Sequence, residues 1–132
     1  MTRCYGRSVS EVPQSHAFHV AIADDWEASV PFGSYEAATR GVLVGIGQPI
    51  RTTTADDIQR VLDERYADLH LQLLVVELDL EALAASGIRV LRDEVSGDVG
   101  IDGPLPPGDP TIVVRVVPVP HIEGRWVAPE LS

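Results

Sequence analysis

Chemistry in this chain would have to come from a few short runs of residues. His16 and His19 stand in an H-x-x-H spacing. On a helix that spacing could turn two imidazoles toward one metal ion. On an extended strand an odd separation sends them to opposite faces, so the pair does not read as a metal site. His19 alone lies in the apolar run Ala17–Ala23 (AFHVAIA). There it is either a hydrogen-bonded core residue or a catalytic base. Arg51-Thr52-Thr53-Thr54 sets a guanidinium and three hydroxyls just before a predicted helix start. Such a start offers free N–H groups and partial positive charge to an anion. Arginine can hold phosphate or carboxylate with a two-pronged hydrogen bond. The plainer alternative is that Thr54 caps the helix and the other threonines are ordinary strand residues.

Other runs carry less. Glu77 and Asp79 share a face of a regular strand, and close like charges can raise one pKa to make an acid–base pair. Their place at the strand's end points instead to exposure. Glu94 is a single acid ending a strand. Gly45-x-Gly47 follows an apolar stretch but lacks the third glycine and the immediate helix of a dinucleotide fingerprint. Cys4 has no predicted base beside it, so it does not read as a catalytic thiol.

The elements that must position these groups follow from periodicity and breakers. Residues 1–16 read as a loose arm, 17–120 as one domain, and 121–132 as a tail that packs or dangles. Ala17–Ala23 is a strand. Asp24 stands as N-cap, with Glu27 at capping-box spacing, of a short helix that stops before Pro31. Residues 35–47 fit a bent strand interrupted by Gly41, Gly45 and Gly47, and 50–53 are β-leaning. The helix from Ala55 to about Asp68 carries Ile58, Val61, Leu62, Tyr66 and Leu69 on one stripe. Leu71–Leu78 is a nearly continuous apolar run, as expected of a central strand covered on both faces. Leu80–Ser86 is a short helix closed by Gly87, and Ile88–Glu94 alternates as a strand. Glycine and proline crowd 97–110. Thr111–Val119 is the last strand, with Pro118 and Pro120 marking an edge or an end. The order is β-α-β-α-β-α-β-β, an α+β domain.

Composition excludes whole classes of function. The 132 residues include 20 acidic and 10 basic ones, for a net charge of -10, and every basic residue is arginine. Without lysine there is no Schiff-base chemistry and no Walker A phosphate grip. One cysteine rules out an internal disulfide framework. So acidic a surface repels nucleic acid and anionic lipid. No apolar run approaches the roughly 20 residues of a membrane span, and the N-terminal residues lack a signal-peptide core. The expected setting is cytoplasmic.

In order and spacing, residues 17–120 resemble a bacterial family of small single-domain proteins, the domain-of-unknown-function family numbered 952. Its members read I-Y-H/K-I, acid-x-W, G-F-I-H-x-S-T, L-L-L-x-x-D, x-W-E and F-P-H-x-Y-G-P-L. This chain has Ala17-Phe18-His19-Val20, Asp25-Trp26-Glu27, Pro49 to Thr54, Leu73 to Asp79, Arg92-Asp93-Glu94 and Gly103-Pro104-Leu105 in their places. That family is similar to the ADP-ribosyltransferase fold. The resemblance therefore implies a single α+β domain with a bent, split mixed sheet and two to three helices, whose cleft cradles an NAD-like ligand. It implies His19 and Glu94 as catalytic candidates. Tyr35, Arg51, Thr52, Thr53, Thr54 and Asp102 are the ligand-binding candidates, with NAD the cofactor it points to and no metal. The family histidine of G-F-I-H is Arg51 here, and the histidine and tyrosine of F-P-H-x-Y are Gly100 and Asp102. Those replacements remove groups that would line the cleft.

Three functions fit this reading. The first is a diverged cleft protein that binds a small anionic or nucleotide-like ligand, with transferase activity left open. The second is a small tailoring enzyme of bacterial metabolism doing acid–base chemistry on a largely apolar molecule. The third is a non-catalytic homodimeric interaction module using the strand near 113–119 and the Trp126 tail.

Overall fold

In the computed structural model, residues 16–35, 37–39, 42–43, 50–92 and 99–130 are described. The predicted Gly45-x-Gly47 turn, Glu94 and Cys4 lie outside them. The chain forms β1 (His16–Ile22), α1 (Ala23–Ser29), β2 (Ala37–Thr39), β3 (Val42–Leu43) and β4 (Ile50–Arg51). A 3-10 turn (Ala55–Asp57) leads into α2 (Ile58–Arg65), followed by β5 (Leu73–Asp79), α3 (Leu80–Ala85), β6 (Arg89–Arg92) and β7 (Val99–Asp102). The chain then makes β8 (Val113–Pro118), β9 (His121–Ile122) and β10 (Arg125–Trp126). This is an α+β chain of few helices and several antiparallel sheets.

Strand β5 earns its apolar run by being central. It lies between β1 and β8, antiparallel to both, and Leu73 to Leu78 are all buried. One face carries Phe18, Val20, Leu73 and Val75 against Ile58, Leu62 and Tyr66 of the α2 region. The predicted stripe is therefore the buried one, although the helix ends at Arg65, before Leu69. The other face carries Ala21, Leu74, Val76 and Leu78, which share a core with Trp26, Tyr35, Leu83 and the second sheet's Ile50, Val99 and Ile101. Burying each large aliphatic chain contributes about 1.5–3 kcal/mol.

The second sheet has the order β4-β7-β6, also antiparallel. Among the described strands every ladder is antiparallel, so the sheet is not mixed as expected. The short link between β6 and β7 suffices for an antiparallel neighbour, whereas a parallel one needs a long crossover. Strand β7 falls in the glycine- and proline-crowded stretch 97–110, to which the expected element order assigns no strand. A backbone bridge between Phe18 and Thr53 joins the two sheets.

Two helix starts differ from expectation. Helix α1 begins at Ala23, so Asp24 lies in its first turn and Ile22 occupies the cap position without a side-chain bond. The Ala23 N–H instead bonds the Gln72 carbonyl at 2.8 Å, tying the helix start to the edge of β5. Helix α3 is capped by Asp79, which accepts from the Glu81 and Ala82 N–H groups. At its far end Gly87 has the positive φ, +93°, that the closing turn requires.

Candidate functional site

Residues 50–53, most of the run expected to bind an anion, form the corner where the sheets meet. Ile50 and Arg51 pair with Ile101 and Gly100 of β7. The Thr52 N–H and hydroxyl both donate to the Val99 carbonyl, at 2.9 and 2.5 Å. Thr53 then exchanges two backbone hydrogen bonds with Phe18 of β1. A segment that changes sheets within four residues must satisfy its polar groups at every step, and threonine hydroxyls help to do so. The cost is that Thr52 and Thr53 are buried. The three hydroxyls do not gather at one surface. Thr54 alone is exposed, with no side-chain cap bond, and Asp56 and Asp57 occupy the first turn beyond it. Those carboxylates oppose an anion at that end.

His19 is 2% exposed and reaches across the corner. Its Nδ1 lies 2.7 Å from the Arg51 carbonyl, and its Nε2 lies 2.8 Å from the Tyr35 hydroxyl. A carbonyl only accepts, so Nδ1 carries the proton and Nε2 accepts from the tyrosine. Burial pushes the imidazole down to about 4, against a smaller opposing effect of the bond to Arg51. Burial raises the Tyr35 hydroxyl well above the ordinary tyrosine range. The Trp26 ring sits 4.8 Å from Tyr35 and closes the stack. His19 is thus neutral, with both nitrogens engaged. In this arrangement it ties the Arg51 backbone to the Tyr35 hydroxyl.

Arg51 and Asp102 lie on the same face of the second sheet. Arg51, Gly100 and Leu91 are in register across β4, β7 and β6, and Asp102 is opposite Arg89 one step along. Partners in register share a face. The neighbouring Ile50 and Ile101 point the other way, into the core. Arg51 is exposed and Leu91 is 39% exposed. Arg89 lies 3.4 Å from the Asp102 carboxylate, both at the surface. Among the described residues no carboxylate pairs with Arg51, although Arg60, Arg89, Arg115 and Arg125 each have one.

A second polar cluster lies at the other face of the first sheet. Glu77, 5% exposed, accepts from Nε and Nη2 of Arg115 at 3.0 and 2.9 Å. Its other oxygen is 2.6 Å from His16 Nδ1, and His16 Nε2 is 3.8 Å from Asp79. The expected exposure of Glu77 is therefore wrong, because β5 is central and both flanking strands bring it a partner. His16 and His19 do fall on opposite faces. Counting alternation along each strand separately hides this cluster, since only the ladder registers bring the three strands' residues together. No group of three or more His, Cys, Asp or Glu side chains among the described residues is arranged to hold a metal ion. None of the described helices is long and apolar enough to cross a membrane.

Comparison with known proteins yields no matching family model, no matching curated protein and no matching solved structure.

Proposed function

We propose that this chain is a small-molecule-binding protein that takes an anionic ligand on the exposed face of its second sheet, with Arg51 as anchor. The observation that carries this reading is the Arg51 guanidinium, exposed and without a carboxylate partner among the described residues. In a chain with twice as many acids as bases, an arginine that no described carboxylate pairs keeps its bidentate donors available to a ligand. Gly100 beside it has no side chain to obstruct approach. The hydrogen bond from His19 fixes the backbone that bears it.

We read the architecture as a split, bent sheet of the ADP-ribosyltransferase-like kind, and the chain as a diverged member of the family it resembles. Two antiparallel three-stranded sheets hinged at residues 50–53 support that reading. The described residues equip this face for binding rather than for group transfer, because His19 is buried, neutral and doubly bonded.

Titration with inorganic phosphate, ADP-ribose and NAD, followed by calorimetry and melting temperature, tests the anion site. At least one anion should bind in the millimolar range or tighter. Arg51→Ala should weaken it by ~10- to 100-fold, since a hydrogen bond to a charged group is worth about 1.5–3 kcal/mol. Binding of every anion unchanged in Arg51→Ala would sink the reading.

A further inference from the structure

The exposed face around Arg51 has a chemical asymmetry that narrows its ligand. Along one line of register it presents a guanidinium on β4, the half-buried Gly100 without a side chain on β7, and an apolar side chain at Leu91 on β6. Neighbouring strands are about 4.8 Å apart, so cation and apolar group are separated by roughly 10 Å. The only other cation on this face among the described side chains, Arg89, is already paired with Asp102. A ligand with two or more phosphates would find one unpaired guanidinium and would meet the Asp102 carboxylate. A dinucleotide therefore suits the face poorly.

From this juxtaposition of Arg51, Gly100 and Leu91 we infer that the ligand is an amphipathic monoanion, an aryl or acyl carboxylate. The carboxylate is held by Arg51 and the apolar body lies across Gly100 onto Leu91. Carboxylate and guanidinium match in charge and in planar, two-pronged geometry. Gly100, half-buried, puts no side chain between Arg51 and Leu91, so a flat or extended body meets none on its way across β7. Leu91, left 39% exposed on the edge strand, loses its contact with water when the ligand is bound.

This inference rests on the anion site proposed above, and the probes separate the two. Phenylacetate supplies charge and apolar body, acetate the charge alone, 2-phenylethanol the body alone, and ADP-ribose two phosphates. All are titrated into the full chain and into Arg51→Ala, Leu91→Ser and Gly100→Val, each first checked for a cooperative melt. Valine is a better strand former than glycine, so Gly100→Val keeps the strand while setting a side chain between Arg51 and Leu91. Phenylacetate should bind at least tenfold more tightly than acetate, 2-phenylethanol and ADP-ribose. Its affinity should fall by about tenfold in Leu91→Ser, and it should be lost in Arg51→Ala and Gly100→Val. If ADP-ribose binds best, and Leu91→Ser changes nothing, the monoanion inference is overturned while the anion site stands. If 2-phenylethanol binds as well as phenylacetate, and Arg51→Ala is silent, both fail. Failure of all four probes to bind overturns the monoanion inference, and the anion site falls with it when inorganic phosphate and NAD also fail to bind.

Discussion

His19 shows how burial decides what a histidine does. Removed from water, its ring survives only as the neutral form, with one nitrogen donating and the other accepting. The unfolded chain would protonate this histidine near 6.5, the folded chain only near about 4. Below pH 6.5 the unfolded state therefore binds the extra proton. The contribution of His19 is complete above pH 6.5 and is lost as the pH falls toward 4, by about 3 kcal/mol. Chemical denaturation from pH 7 to pH 4 should show that loss. In His19→Gln the His19-specific part of the slope should vanish. The same variant should cost about 2–4 kcal/mol at pH 7, because the Arg51 carbonyl and the Tyr35 hydroxyl are buried groups that lose their partner. Tyr35→Phe removes one of these bonds and should cost about 1–3 kcal/mol. If either variant is as stable as the parent, the corner does not depend on this imidazole.

At the scale of elements, β5 organises the molecule and β8 guards its edge. The polar end of β5 is held by strands on both sides. Arg115→Ala leaves the buried Glu77 with His16 as its remaining partner in that cluster and should cost about 2–3 kcal/mol in urea denaturation. Asp79→Ala removes the α3 cap and should cost about 1 kcal/mol. Strand β8 has an open side among the described residues, with Val114 and Val116 exposed. It is nonetheless poorly suited to pairing with another copy. The Val119 N–H points at Leu73, so strand alternation turns the Pro118 nitrogen toward the open side, where it has no hydrogen to donate. The register also shifts opposite Glu77 and Leu78. Irregularities and prolines of this kind blunt edges. Sedimentation should accordingly find the parent chain free of β8-mediated association. Pro118→Val should raise its tendency to associate at high concentration. A parent dimer abolished by charge at Val116 would restore the interaction-module reading.

The whole molecule is closed by its C-terminal segment. Glu123 and Gly124 both have positive φ, the two-residue turn that suits a tight hairpin, and they fold β10 back on β9. That hairpin lays Trp126, 5% exposed, onto the core shared with α2. Gln59 clasps it from both directions, donating to the Trp126 carbonyl and accepting from the Ala128 N–H. Arg125 holds Asp63 at 2.8 Å, which keeps that carboxyl below its ordinary range. Trp126→Ala should therefore destabilise the entire fold by about 3–5 kcal/mol in one cooperative transition. A separate early loss of the tail with the remaining melt unchanged would contradict this.

What the sequence by itself determined is local or set by short periods. It shows that Leu71 to Leu78 holds a central strand, that Ile58, Leu62 and Tyr66 face a core, and that His16 and His19 diverge. It also marks Pro118 as belonging at a strand's edge or end. Each of these depends on spacing within one element. Only the tertiary structure decided the rest, because each remaining feature needs partners distant in the chain. Strand β7 is legible as a strand only once β4 and β6 pair with it, since its own residues are too rich in glycine and aspartate to announce one. His19 becomes a neutral brace only when Tyr35 and Arg51 arrive at its two nitrogens. Glu77 becomes a buried acid only between β1 and β8. The Arg51 face exists only in the register of three strands, for a ladder can join a cation, a gap and an apolar side chain that no single stretch of sequence places together.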